Sequence, residues 1–196
     1  VEPGTNPGWL YQQNTMRDAV IASSSLDIFQ KYTDRIKMAN IAQVVNVLQS
    51  MVLTNEKNPS DPCVLTPTYH VFKMYKVHKE ATYIPGEITC NYISVNAKEQ
   101  VPTTSFSASK DQNGVIHVTL TNLDVAQQHV ISVDVEGVKV KGVEGEILTH
   151  KDVHAYNDFS HPQDVKPAAF NGAKVGKDGK LLVTIPAHSV VCLTIK

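Results

Sequence analysis

The spacing of apolar residues changes once along the chain, close to Lys79, and this change constrains the fold more than any other feature. Before Lys79, apolar residues recur at steps of three and four, which is typical of amphipathic helices. From about Thr82 they alternate with polar residues over short runs, which is typical of half-buried strands. The pattern predicts a helical part followed by a β part.

Two helices of the first part have clear signals. Residues 10–31 are predicted to form one helix, because their apolar residues share a single face. The other begins at Thr66, since threonine caps free backbone N–H groups and Pro67 is tolerated in a first turn. The residues on the first apolar face are Met16, Ala19, Ala22, Leu26 and Phe29.

The segment between these helices is predicted to hold a strand and a further helix. The segment 35–40 is short, and its apolar residues alternate with other residues, which favours a buried strand. Residues 41–52 carry apolar side chains on one helical face, with Asn40 as a possible N-cap. We expect Ile41, Val44 and Leu48 to be buried, against a sheet or against another copy.

The second part is predicted to be a β-sandwich. Alternating or apolar runs at 116–121, 130–135, 181–185 and 190–195 predict strands. Turn signals separate them, namely Asn113-Gly114, Glu136-Gly137 and Asp178-Gly179. Several short strands at this spacing over about 115 residues are typical of sandwiches.

Composition excludes some partners. The 196 residues carry a formal net charge of -1 with mixed signs, so we expect no nucleic acid partner. No apolar run approaches the roughly 20 residues of a membrane span, so we expect no membrane partner. Residues 1–4 carry neither the charged nor the apolar region of a signal peptide, and a chain cut from a longer protein would have lost such a segment. Three widely spaced cysteines predict free thiols rather than a disulfide framework.

Three blocks of the first part carry a family resemblance: NPGWLYQQNTMRDA (residues 6–19), DRIKMANIAQVVNVLQ (34–49) and VLTPTYHVFKMYKVH (64–78). Together they resemble the α-L-arabinofuranosidases of glycoside hydrolase family 51. The PAHSVV ending (186–191) is similar as well.

The resemblance implies a mainly β fold, in which a jelly-roll-like antiparallel β-sandwich follows a helical remnant of a (β/α)8 barrel. Residues 1–79 would be the last strand–helix units of a truncated catalytic barrel, and residues 80–196 the C-terminal sandwich. A complete barrel needs about 250 residues, so we expect the chain to be the C-terminal part of a longer protein. Its localisation, cytoplasmic or periplasmic/secreted, is left open because the original N-terminus is expected to be missing.

The implied activity is hydrolysis of terminal non-reducing α-L-arabinofuranosyl residues of arabinan or arabinoxylan, with retention. Retention requires a nucleophile and an acid/base carboxyl about 5 to 5.5 Å apart. The resemblance implies that both are glutamates upstream of Val1, so the chain alone should be inactive. It also implies a homo-oligomeric parent. The family includes some endoglucanases, which leaves that substrate class as an alternative.

The resemblance carries over three substrate-binding residues. Gln43 would hydrogen-bond the arabinose, since a neutral amide can donate to one hydroxyl and accept from another. Leu10 and Trp9 would line the aglycone side of the cleft, and Asn46 and Tyr69 are weaker candidates. In the structural alternatives, Gln43 forms a capping box with Asn40, and Trp9 is a hydrophobic plug.

No metal or cofactor is predicted. The densest group of possible ligands does not have the spacing of a zinc motif, so a solvated loop is the preferred interpretation. Its members are His150, Asp152, His154, Asp158 and His161. A second function class is a non-catalytic carbohydrate-binding or structural sandwich module. Only 7% of residues are aromatic and the single tryptophan precedes the β part, which disfavours a sugar-stacking platform.

Overall fold

Two antiparallel sheets form the C-terminal part, and two helices lie on one of them. The computed structural model describes residues 13–42, 44–55 and 57–196. Helix α1 is Met16–Lys31 and helix α2 is Pro67–Tyr75, which the 3-10 turn Lys76–His78 extends. The strands are β1 (Val52–Leu53), β2 (Val64–Leu65), β3 (Thr82–Tyr83), β4 (Tyr92–Ser94), β5 (Gln100–Pro102), β6 (Thr104–Lys110), β7 (Ile116–Asn122), β8 (His129–Val133), β9 (Val143–Leu148), β10 (Ala168–Ala169), β11 (Ala173–Val175), β12 (Leu181–Ile185) and β13 (Ser189–Ile195). None of the described helices is long and apolar enough to cross a membrane.

The larger sheet has the strand order β10-β9-β13-β7-β6-β3, and the smaller has β11-β12-β8. The pairs β1-β2 and β4-β5 form separate two-stranded ribbons. One apolar core lies between the two main sheets. Leu120 on β7 and Leu193 on β13 enter it from the large sheet, and Leu181, Val183 and Ile185 on β12 enter it from the small sheet. The predicted antiparallel β-sandwich is confirmed.

Strand β13 shows why the large sheet is buried on both faces. Val191 and Leu193 point into the sandwich core, whereas Val190 and Cys192 point to the opposite face, because side chains alternate along a strand. Helices α1 and α2 cover that opposite face. Their buried contributions to this second core are Met16, Ala19, Val20, Val71, Met74 and Tyr75. Each large apolar side chain buried here contributes about 1.5 to 3 kcal/mol to folding, so the helices and the sandwich stabilise each other.

The predicted helix cap and glycine turns depend only on backbone groups a few residues away, and the structure contains them. The Thr66 hydroxyl accepts a 3.3 Å hydrogen bond from Tyr69 N and so caps α2, with Pro67 in the first turn. Gly114 and Gly179 have φ angles of 81° and 83°, which their turns require and which glycine adopts without strain. These predictions are confirmed.

The predicted helix over residues 41–52 is wrong, because the described residues there form turns and a short extended piece. Asn46 and Gln49 have φ angles of 56° and 58°, which a right-handed helix does not contain. Val44 is 53% exposed, so the expectation of its burial is also wrong in this structure.

Two further expectations differ from the structure. Residues 35–40 form no strand, and Met38 is 76% exposed, because within the described chain no neighbouring strand pairs with this segment. Helix α1 begins at Met16 rather than near residue 10, since Thr15 has the extended backbone of an N-cap. The earlier residues of the predicted helix, 10–12, lie outside the described residues.

Candidate functional site

The three predicted substrate-binding residues, Gln43, Leu10 and Trp9, lie outside the described residues. The structure does describe the segments that adjoin them in the chain. Val44 directly follows Gln43 in the chain, and Asn14 lies shortly after Trp9 and Leu10. The candidate site is therefore built from the residues that hold these adjoining segments.

The segment after Gln43 folds into a closed loop, which we call the 44–54 loop. The carbonyl oxygen of Val44 accepts hydrogen bonds from Met51 N at 2.9 Å and Val52 N at 3.1 Å. Across the same loop, Asn46 Nδ2 donates to Thr54 Oγ1, and Asn46 Oδ1 accepts from Thr54 N, both at 2.7 Å. Asn46, a weaker sugar-binding candidate, thus closes the loop with one hydrogen bond from each end of its amide.

The 44–54 loop is attached to the starts of both helices through the Ser50 carbonyl, and to α2 also through the Met51 carbonyl. Ser50 is 1% exposed, and its carbonyl oxygen accepts from Asn14 Nδ2 at 2.9 Å and from Thr66 Oγ1 at 2.8 Å. Asn14 Oδ1 in turn accepts from Thr68 Oγ1 at 2.7 Å. Thr66 N also donates to Met51 O at 3.0 Å. These buried contacts join the loop to the N-termini of α1 and α2.

A second attachment runs through Asp18 in the first turn of α1. Its carboxylate accepts hydrogen bonds from Thr15 N, from Thr15 Oγ1 and from Gln49 Nε2, each at 2.8 Å. The nearby Arg17 guanidinium lies 3.9 Å away and is half exposed, so it adds little. A carboxylate near a helix N-terminus is further favoured by the helix dipole. Asp18 therefore fixes Gln49 and the start of α1 together.

Tyr69 and His70 lie in the first turns of α2, beside this attachment. Their rings meet edge to face with centroids 5.5 Å apart. Burial, and secondly the positive charge of Lys73, lowers the pKa of His70 to about 4. His70 is therefore neutral at pH 7 and brings no charge to the site. The structure does not test contact of Tyr69 with a sugar.

A buried polar network lies between α1, α2 and the large sheet, where the sequence predicts an apolar helix face. The Asp27 carboxylate, 4% exposed, accepts from Ser105 Oγ at 2.6 Å, Tyr75 OH at 2.7 Å and Ser107 Oγ at 2.8 Å. Burial raises the pKa of Asp27 to about 6, against the opposing effect of these hydrogen bonds. Ser23 and Asp27 interrupt the apolar stripe of α1, and that interruption was the available sequence signal.

A groove of about 470 Å³ lies beside this network, between the two helices and edge strand β3. Its lining includes the aromatic rings of Phe29, Phe72 and Tyr83 and the imidazole of His78. His78 Nδ1 lies 2.7 Å from Ser109 Oγ, and burial lowers its pKa to about 4, helped by nearby His117. A neutral histidine with a bonded ring nitrogen stabilises the helix–sheet contact here.

The His and Asp side chains of the loop that contains His150, Asp152, His154, Asp158 and His161 do not converge on one point. Among the described residues, no group of three or more His, Cys, Asp or Glu side chains could hold a metal ion. Asp152 Oδ1 accepts from His154 N at 2.9 Å, and Asp158 Oδ1 accepts from His161 N at 2.6 Å, so both carboxylates close turns. The loop backbone instead meets α1, where Met16 N donates to Ala155 O at 2.8 Å.

The matching family model and two sequence relatives of this chain all belong to the α-L-arabinofuranosidases. The model of the α-L-arabinofuranosidase C-terminal domain matches residues 1–189. The chain is 53% identical over 195 residues to an intracellular exo-α-L-arabinofuranosidase of Bacteroides ovatus, covering 100% of this chain and 37% of that protein. It is 26% identical over 183 residues to an exo-α-(1→6)-L-arabinofuranosidase of Bifidobacterium longum, covering 91% of this chain and 34% of that protein.

Solved structures agree. The family 51 arabinofuranosidase of Xanthomonas axonopodis pv. citri superposes with a TM-score of 0.90 at 45% identity, over 100% of this chain and 38% of that one. A family 51 enzyme of Bifidobacterium longum gives a TM-score of 0.84 at 23% identity, over 97% of this chain and 37% of that one, which supports the fold alone. The chain thus spans less than two fifths of the length of these relatives.

Proposed function

Because the chain belongs to the family of α-L-arabinofuranosidase C-terminal domains of glycoside hydrolase family 51, we propose that it is the C-terminal part of a longer α-L-arabinofuranosidase. That enzyme would release terminal non-reducing α-L-arabinofuranosyl residues from arabinan or arabinoxylan with retention. The observation that carries the proposal is the 53% identity, along the whole chain, to an exo-acting enzyme of which the chain matches 37%.

Residues 1–79 would supply the last strand–helix units of a (β/α)8 barrel, and residues 80–196 the sandwich. Support comes from the side of the helices that faces away from the sheet. There Ile21 and Ile28 of α1 are 56% and 57% exposed, and Met38, in the segment that follows α1, is 76% exposed. We assign these side chains to an apolar contact surface, since large apolar patches on a protein mark contact sites. In the parent, the remaining barrel would cover it, and part of the surface could serve a homo-oligomer.

The chemistry would belong to the parent's barrel. Two glutamates preceding Val1 would act as nucleophile and acid/base. Gln43 would bind hydroxyls of the arabinose ring, since its amide donates and accepts. Leu10 and Trp9 would cover the aglycone side. The anchored 44–54 loop supports this assignment, because a rigid support beside Gln43 in the chain suits a group that must be held in place.

The proposal is tested by assaying the purified chain and the longer parent side by side on an aryl α-L-arabinofuranoside. We expect turnover by the parent and none by the chain. Gln43→Ala in the parent should cost about 1 to 3 kcal/mol, or roughly 5- to 150-fold in kcat/KM.

Three outcomes would change the assignment. Turnover by the chain after removal of contaminants would place catalytic groups within residues 1–196. A parent that cleaves β-glucan and no arabinofuranoside would be an endoglucanase. A parent without hydrolytic activity, together with polysaccharide binding by the chain, would favour a non-catalytic module.

A further inference from the structure

Asn14 occupies a position at which only an amide satisfies its neighbours. It is 8% exposed, its Nδ2 donates to Ser50 O at 2.9 Å, and its Oδ1 accepts from Thr68 Oγ1 at 2.7 Å. An aspartate would face the Ser50 carbonyl without a donor. An alanine would leave the Thr68 hydroxyl, which is fully buried, without its acceptor. Both ends of the side chain are therefore in use.

The bonds of Asn14 reach the residue next to Gln43 in three steps. Asn14 holds the Ser50 carbonyl, Met51 follows Ser50 in the chain, and Met51 N donates at 2.9 Å to the carbonyl of Val44. A displacement of Ser50 would therefore be transmitted to Val44. The same Asn14 stands close in the chain to Leu10 and Trp9.

Other attachments keep the 44–54 loop folded without Asn14. Thr66 Oγ1 still donates to Ser50 O at 2.8 Å, and Gln49 Nε2 still donates to Asp18 at 2.8 Å. The Asn46–Thr54 pair closes the loop independently. Loss of Asn14 should therefore shift or loosen the loop rather than unfold it. Because the buried Thr68 hydroxyl also loses its acceptor, both turnover and the unfolding temperature should fall, and the loss in turnover is what a merely structural role would not produce.

We propose that Asn14 is a positioning residue for Gln43, holding the loop that follows Gln43 against the N-termini of α1 and α2; this inference rests on the function proposed above. Asn14 does not contact substrate in this account. Its effect passes through the placement of a sugar-binding amide. A misplacement of about 1 Å in a catalytic site can cost on the order of 100-fold in rate.

The experiment uses the full-length parent and an aryl α-L-arabinofuranoside, with kcat and KM measured well below the unfolding temperature. Asn14→Ala is expected to lower kcat/KM by roughly 10- to 100-fold. Thr68→Val should lower it partially, and Thr68→Ser, which keeps the hydroxyl, should restore it. Asn122→Ala is the matched control, because the fully buried Asn122 also donates to backbone carbonyls, those of Gln127 and Pro186, both at 2.8 Å. It should lower the unfolding temperature and leave kcat/KM within about twofold.

A double-mutant cycle separates positioning from general damage. If Asn14 acts through Gln43, Asn14→Ala should have little further effect in a Gln43→Ala background. Additive losses would overturn the inference, as would equal losses in the Asn14 and Asn122 variants. A fully active Gln43→Ala parent would overturn it too, although hydrolysis itself would stand. A wild-type parent that does not hydrolyse the substrate would instead refute the proposed function.

Discussion

The hydroxyl of Tyr75 on α2 donates a 2.7 Å hydrogen bond to the carboxylate of Asp27 on α1, and both groups lie against hydroxyl-bearing strands of the large sheet. Burial and the Asp27 charge raise the pKa of Tyr75, so the phenol stays protonated and remains a donor. A carboxylate placed among hydroxyl donors can be buried without a cationic partner. The helix–sheet interface therefore contains an acid whose ionisation is linked to folding.

Asp27→Asn is expected to remove part of the pH dependence of stability. Burial raises the pKa of Asp27 from 3.8 to about 6. The folded state thus holds the proton more tightly than the unfolded state, so the free energy of unfolding falls as pH rises from about 4 to about 6 and stays lower above that. The full change corresponds to about 3 kcal/mol. Asparagine does not ionise, so the variant should lack this component.

Urea unfolding of both proteins at pH 4.5 and 7.5 measures the difference. Contributions from His70 and His78 are present in both proteins and cancel. Asp164→Asn, in an exposed position, is the control and should follow the wild type within about 0.5 kcal/mol. If wild type and Asp27→Asn lose stability equally between the two pH values, Asp27 is not linked to folding as described.

Gly145→Ala is expected to destabilise the chain by about 1 to 3 kcal/mol. Gly145 lies opposite Leu193 in the β9–β13 pair, and an added Cβ would lie 2.8 Å from Leu193 Cδ2 and 2.9 Å from the backbone oxygen of Cys192. The backbone atom cannot move aside easily. Gly142→Ala is the control, since its nearest contact is Lys196 Cβ at 3.9 Å. Denaturant midpoints of the two variants should differ clearly, and equal midpoints would contradict the close packing of β9 on β13.

The three cysteines are expected to differ in reactivity while all remain free thiols. Cys63 is exposed, Cys90 is half-buried and Cys192 is buried. Burial, with a smaller effect of the Glu146 charge, raises the pKa of Cys192 to about 12, so its reactive thiolate is scarce. Titration with a thiol reagent should label Cys63 first in the native chain and Cys192 only on unfolding. A count of one thiol under denaturing, non-reducing conditions would reveal a disulfide.

His188→Ala is expected to lower the free energy of unfolding by about 2 kcal/mol. The imidazole is 7% exposed and lies between two loops at one end of the sandwich, with Nδ1 3.1 Å from Val125 O and Nε2 2.6 Å from His150 O; a neutral ring donates to one of these carbonyls and an imidazolium to both. His161, whose side chain is 66% exposed, provides the control variant His161→Ala, which should change stability by less than about 0.5 kcal/mol. Similar unfolding curves for both variants would show that the bridge contributes nothing measurable.

Local sequence signals predicted the strands and helix starts that do not depend on one particular distant residue. Strand β7 alternates over its whole length, and any apolar layer would bury Val118 and Leu120 on the same side. The Thr66-Pro67 start of α2 needs only backbone N–H groups within the same turn. Such features depend on chemistry a few residues away, which the sequence displays directly.

The 44–54 loop shows where that approach fails. Its apolar residues have helical spacing, but Asn46 and Gln49 take positive φ angles. Those conformations accompany the hydrogen bond that Asn14 donates to the Ser50 carbonyl and the one that Gln49 donates to the Asp18 carboxylate, each joining residues more than 30 positions apart in the chain. The predicted roles of Gln43, Leu10 and Trp9 stay predictions, because they depend on a sugar and on residues outside those described.

The sequence by itself determined the change from helices to strands, the sandwich and, through three blocks of residues in the right order, the resemblance to family 51 arabinofuranosidases. Only the tertiary structure decided which polar groups meet: Asp27 with the Ser105 and Ser107 hydroxyls, and Asn14 with Ser50 and Thr68. The physical reason is range. Periodicity and caps act within a turn or along a strand, whereas a buried hydrogen bond needs a donor and an acceptor brought together by packing.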